Sequence, residues 1–188
     1  MQITGCRFRE VGDQGVCIGG GSRFEEFASR PGEDAKAGTL FEAARVQVRR
    51  CLFQGSRCAV ALVNCERSLV RNCTIHRPTR AIMSFRREQE DGRFGDVRYC
   101  AFGSNLVVWK AEDITQVAHL GPNMDASAVG IDLEDNFWWC GDAARTAAAL
   151  EGLPGNELFP QVTELAPKLD EELRPTEERA KPFGAHAP

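Results

Sequence analysis

Val70-Arg71-Asn72-Cys73-Thr74-Ile75 sets an aliphatic residue, two variable residues, a cysteine, one variable residue and a large apolar residue in order. The same order recurs in Ile3-Thr4-Gly5-Cys6-Arg7-Phe8, Val48-Arg49-Arg50-Cys51-Leu52-Phe53 and Val97-Arg98-Tyr99-Cys100-Ala101-Phe102. It returns with asparagine in place of cysteine in Leu133-Glu134-Asp135-Asn136-Phe137-Trp138. A unit this short cannot bury its own apolar face, so each copy must stack on the next.

The spacing selects strands over helices. Successive Cys or Asn positions lie 45, 22, 27 and 36 residues apart. Helical repeats keep a nearly constant length of about 33–34 residues and place apolar residues three and four apart. Here Cys73 and Ile75 alternate with Thr74, as side chains do on a strand. Further strands are expected at Val16-Cys17-Ile18, Val60-Ala61-Leu62, Ile82-Met83-Ser84 and Trp109-Lys110, with a less regular third strand at Ile114-Thr115-Gln116-Val117. Turn formers such as Gly12-Asp13-Gln14-Gly15, Gln54-Gly55-Ser56 and Arg77-Pro78-Thr79 separate them. The fold class is therefore all-β, a right-handed parallel β-helix in which equivalent residues stack about 4.8 Å apart. Residues 1–140 are assigned to its turns, with a loop insertion at about 20–45, and residues 141–188 to a short helix and an extended C-terminal tail.

Val11-Gly12-Asp13-Gln14-Gly15-Val16-Cys17-Ile18-Gly19-Gly20-Gly21, the Val70-to-Arg80 stretch, Asn105-Leu106-Val107-Val108-Trp109 and Asp135-Asn136-Phe137-Trp138-Trp139-Cys140 carry a family resemblance. The chain resembles the C-terminal part of right-handed parallel β-helix proteins of the pectate-lyase-like superfamily. Its tail, from Pro167 to Ala185, is similar to the closing segment of such proteins. The resemblance implies a carbohydrate-active protein, foremost a polysaccharide lyase-like enzyme acting on an acidic glycan, with Ca²⁺ as an optional cofactor and an extracellular or periplasmic location. A non-catalytic carbohydrate-binding or structural module, a glycoside hydrolase and a uronate epimerase stand beside it, because one fold hosts many chemistries.

With 188 residues, 43% hydrophobic content and net charge −4, the chain can bury a core and has no basic surplus for nucleic acid. No apolar run reaches the roughly 18 residues of a membrane span. The first repeat starts at Ile3 with no cover over the end of the stack. Missing N-terminal turns and their cap, or an oligomer partner, are expected to close it.

Eight cysteines invite a disulfide or metal reading, but Cys6, Cys51, Cys73 and Cys100 share one repeat position, which fits an inward ladder of reduced thiols. No CxxC or Cys/His spacing supports zinc, and no metal ligand is assigned.

Arg49, Arg71 and Arg98 follow the leading aliphatic residue and are expected to form one outward row. Either Glu66 and Glu134 neutralise the row, or it holds an anionic polysaccharide through planar guanidinium forks. Arg77 and Arg86 extend this substrate-binding set. Uronate β-elimination needs a cation at the carboxylate and a base at C5. By the resemblance, His76 with Arg80 is the first candidate pair and Lys110 the alternative base; the rival reading makes His76 a solvated turn residue. Glu112, Asp113, Asp132, Glu134, Asp135 and Asp13 form no pair recurring on adjacent turns, which weakens a hydrolase reading. Asp142 reads as the N-cap of a helix stopped at Gly152. Phe8, Phe53, Phe102 and Trp138 are expected to stack inside the coil, and the tail to cover Trp109 or Trp139 unless these serve as sugar platforms.

Overall fold

The structure is a computed structural model that describes residues 1–12, 14–19, 41–87, 94–114, 116–122, 124–151, 153 and 166–187. The expected insertion from Ser22 to Leu40, together with Asp13, Thr115 and Gly152, lies outside the described residues.

Short strands follow one another turn by turn. The first turn holds β1 (Gln2–Thr4), β2 (Arg7–Arg9) and β3 (Gln14–Ile18). The second holds β4 (Ala43–Ala44), β5 (Gln47–Arg49), β6 (Leu52–Gln54) and β7 (Cys58–Val63). The third holds β8 (Cys65–Glu66), β9 (Leu69–Arg71), β10 (Thr74–His76) and β11 (Ala81–Arg86). The fourth holds β12 (Cys100–Gly103), β13 (Leu106–Val108) and β14 (Ala118–Leu120), and the last β15 (Ile131–Glu134) and β16 (Phe137–Trp139). Each strand pairs in parallel with its equivalent in the neighbouring turn, giving sheet A (β1-β5-β9-β12-β15), sheet B (β2-β6-β10-β13-β16), sheet C (β3-β7-β11-β14) and a small β4-β8 pair.

The chain turns from sheet A to sheet B in a single left-handed residue: Gly5, Arg50, Asn72, Ser104 and Asp135, with φ from 38 to 67°. Gly, Asn and Asp tolerate this conformation. Stacking holds the corner in place, since the amide of Arg50 donates to Arg71 O, that of Asn72 to Gly103 O and that of Ser104 to Glu134 O. Cys6, after the first corner, is exposed, whereas the residue after each of the other four turns inward and donates to a carbonyl one turn back. Cys51 Sγ reaches Ile3 O, Cys73 Sγ reaches Val48 O, Asn105 Nδ2 donates to Val70 O and Asn136 Nδ2 to Phe102 O.

Pairing places Phe8, Phe53, Ile75, Val107 and Trp138 in one internal row, and Ile3, Val48, Val70, Phe102 and Leu133 in another. The Phe8 and Phe53 rings lie 4.9 Å apart and nearly parallel. This register corrects the fourth repeat. Asn105, not Cys100, continues the inward ladder, and Val107, not Phe102, continues the aromatic row. The reason is local: the second, third and fourth turns have another left-handed corner ahead of sheet A, at Arg45, Arg67 and Tyr99, followed by Val46, Ser68 and Cys100 and then by the inward strand residues Val48, Val70 and Phe102. Val97-Arg98-Tyr99-Cys100-Ala101-Phe102 crosses that earlier corner and carries the same signature.

Two other strand expectations also move. Trp109 and Lys110 follow β13 outside any strand, and the fourth strand of sheet C is Ala118–Leu120 rather than Ile114 to Val117. Helix α1 (Ala143–Leu150) begins at Asp142, whose side chain accepts from the Arg145 amide. The described tail, 166–187, forms turns rather than one extended run, because Asp170 accepts from the amides of Glu172 and Arg174 and folds the chain back on itself. It packs Ala180 and Phe183 against Leu106 and Phe137 on the outer face of sheet B.

None of the eight cysteines is bridged in a disulfide; Cys6 and Cys17 are exposed and the other six buried. Burial pushes the Cys73 thiol well above its usual range, so it sits in the core as a neutral small hydrophobe.

Candidate functional site

The arginine row expected on sheet A is divided by the register. Thr4, Arg49, Arg71, Gly103 and Glu134 occupy equivalent positions, and Arg98 does not join them. Arg98 instead bridges to Glu66, its Nε 3.8 Å from Glu66 Oε2, and its guanidinium lies 4.4 Å from the centre of the Phe41 ring. Arg71 pairs with Glu134 across the intervening Gly103, where a Cβ would stand 3.0 Å from Glu134 Cβ. Arg49 Nε donates to Gln47 Oε1 at 3.0 Å. Arg71 and Arg98 thus face carboxylates of their own coil. The Arg71–Glu134 pair is about one-third exposed (35% and 30%), so its net value is small. Glu134→Gln is expected to change unfolding free energy by about 1 kcal/mol or less in urea titration.

His76 ends β10 between Gln54 and Val108. Its Nδ1 is buried and without a hydrogen-bond partner, and burial, then the Arg77 charge, lower its pKa. Arg80 does not meet it. The structure brings Arg80 to His119 on the outer face of sheet C instead, with Arg80 Nη2 3.2 Å from His119 Nε2. Lys110 is exposed in the turn after β13, its carbonyl accepting from the Asp113 amide.

His119 lies in an outward row of sheet C formed by Cys17, Ala61, Ser84 and His119 on successive turns. Arg57, Arg80 and Arg86 surround Ser84 and His119, and Arg86 Nε donates to Ser84 Oγ at 3.3 Å. Among the described residues no carboxylate pairs with Arg57, Arg80 or Arg86, whereas Arg87 is held by Asp96 at 2.8 and 2.7 Å. Burial first, then the charges of Arg80 and Arg86, lower the His119 pKa below its usual 6.5. The imidazole is therefore neutral at neutral pH, and because a guanidinium can only donate, its Nε2 is the acceptor. The enclosed space there is only about 10 Å³, room for about one water, so a ligand would lie across an open face.

Sequence reading missed His119. It sits in Val117-Ala118-His119-Leu120, a short strand with no copy of the repeat signature, and only the pairing of β14 with β11 puts it beside Arg80 and Arg86. Among the described residues no group of three or more His, Cys, Asp or Glu could hold a metal ion.

No curated protein and no solved structure matches the chain. A family model, described as right handed beta helix region, matches residues 1–136. The register, the stacked corners and this match agree, and the chain belongs to the right-handed β-helix family.

Proposed function

We propose that the outer face of sheet C binds an acidic glycan and cleaves it by lyase-type β-elimination. The observation that supports this most is the Arg80–His119 contact within an arginine cluster free of described carboxylates. A uronate carboxylate seated on Arg57, Arg80 and Arg86 would have its charge neutralised, which acidifies the C5 proton. Engaging Arg80 would also release His119 Nε2 to act as the base. Nε2 takes the C5 proton, the electron pair forms the C4–C5 double bond, the C4–O bond breaks and the departing sugar oxygen takes a proton from water. This role passes from His76, which lacks the arginine contact, to His119.

Incubating the protein with a panel of uronate polymers and following absorbance from unsaturated ends tests the proposal. Activity should appear on at least one polymer, and His119→Ala should lower it by about 10²–10⁴-fold, the range for a general base. The sign of the pH dependence follows from the lowered pKa. The base is neutral above its pKa and charged below it, so the rate should fall only as pH drops below 6.5 and should be level at neutral pH. Activity that survives His119→Ala unchanged would remove the residue from the mechanism.

The shallow face favours a second reading, a glycan-binding or structural module without catalysis. It would show as uronate binding weakened by Arg80→Ala with no unsaturated product on any polymer.

A further inference from the structure

At the corner between sheets B and C, Glu10, Gly55 and Arg77 stack on three successive turns, all with positive φ (51, 66 and 52°). Their amides donate in sequence to Gln54 O, His76 O and Val108 O, which fixes the three positions in line. An acid and a base flanking a glycine also occur, in the reverse order along the coil, as Arg71, Gly103 and Glu134 on sheet A. There the missing side chain lets the charges meet as an ion pair. Here they do not meet. No described pair joins Glu10 to Arg77, and the space above Gly55 is an open groove of about 360 Å³ lined by Glu10, Gln54, Gly55, Arg77, Thr79 and Asp113. That volume falls in the range of about 300–1,000 Å³ typical of small-molecule sites. Ser56, the residue after Gly55, has a buried Oγ with no hydrogen-bond partner, and its carbonyl accepts from the amide of Thr79 on the groove wall.

We infer that this groove is a second ligand site, distinct from the cationic face of sheet C, and that it takes a sugar unit bearing a free amine. The lining mixes donors (Arg77, the Gln54 amide) with acceptors (Glu10, Asp113) and the Thr79 hydroxyl, the set needed by sugar hydroxyls that both donate and accept. Among the described lining residues, Glu10 and Asp113 against Arg77 leave one formal negative charge in excess. A monocationic polyol balances it, whereas a uronate would add a like charge. The two sites therefore select ligands of opposite sign, and the groove does not depend on the lyase reading.

The test is calorimetric titration of the full chain with a de-N-acetylated glucosamine oligomer, its N-acetylated counterpart and a galacturonate oligomer. The amine oligomer should bind, with affinity at least about tenfold above the other two at this site. Glu10→Gln and Asp113→Asn should each lower that affinity about tenfold or more. Both are exposed or half-buried changes of equal size, and circular dichroism checks that each variant is folded. Gly55→Asn, which suits a positive φ and places a side chain in the groove, should abolish the binding. Equal binding of the acetylated oligomer, indifference to the three substitutions, or no binding of the amine oligomer would each overturn the assignment.

Discussion

Trp138→Ala is expected to lower unfolding free energy by about 3–5 kcal/mol, the cost of removing a large aromatic side chain from a packed core. Trp138 has no exposed surface. It lies 5.7 Å from the Phe102 ring in a near-parallel arrangement and 6.3 Å from Trp109 edge-on, so it joins the internal rows of sheets A and B at the last turn. The preceding residue in its own row is Val107, which is too small to fill the space a lost indole would leave. In a coil each turn is held mainly by its neighbours, so the loss should be local before it is global. Urea titration should show the reduced stability. Hydrogen exchange should show the amides of β15, β16 and α1 losing protection ahead of those of β9 and β10. Phe8→Ala, on the partly exposed first turn, should cost less than half as much in the same titration, because Phe8 stacks on Phe53 from one side only. Equal costs at the two positions would mean that the end turns contribute alike, against the burial seen here.

The fold was legible because stacking forces one chemical solution at each repeated corner. A small or amide side chain after a left-handed residue, followed by an apolar strand, is demanded on every turn, and five copies of it are visible in the chain. The register was not legible at Cys100, because two corners within a turn make the same demand, and only backbone pairing distinguishes Tyr99 from Ser104. That ambiguity placed Arg98 in the wrong row. The candidate site was less legible still. Arg80 and Arg86 stood out as charges on a turn and a strand end, yet their partner His119 lies a full turn away on a strand of three residues. Ligand contacts on a solenoid run across turns, between residues about one repeat apart. Their sequence separation is set by loop length, which follows no pattern. The corner groove has the same character, since Glu10, Gly55, Arg77 and Asp113 come from four separate stretches.

Asn105→Ala should be among the most damaging substitutions in the coil, at about 2–6 kcal/mol for two orphaned buried groups at about 1–3 kcal/mol each. Asn105 is fully buried. Its Oδ1 accepts from the Cys73 amide at 2.8 Å, and its Nδ2 donates to Val70 O at 3.1 Å and to Asn136 Oδ1 at 3.0 Å. Alanine leaves the Cys73 amide and the Val70 carbonyl without these partners in a fully buried position. The chain itself indicates which substitution is tolerated better. Cys51 and Cys73 occupy the same rung on earlier turns and reach the equivalent carbonyls, Ile3 O and Val48 O, each at 3.8 Å. A thiol is a weak donor of similar direction and small volume. Asn105→Cys should therefore retain part of the Val70 contact and cost roughly half as much as Asn105→Ala. Asn105→Asp should cost more than either, since it keeps the acceptor for Cys73, loses both amide donors and buries a charge facing two oxygens. The order Cys, Ala, Asp in rising cost, read from urea midpoints at one pH, separates a ladder held by directed hydrogen bonds from one held by volume alone. Volume alone would make Asp, the isostere, the mildest of the three.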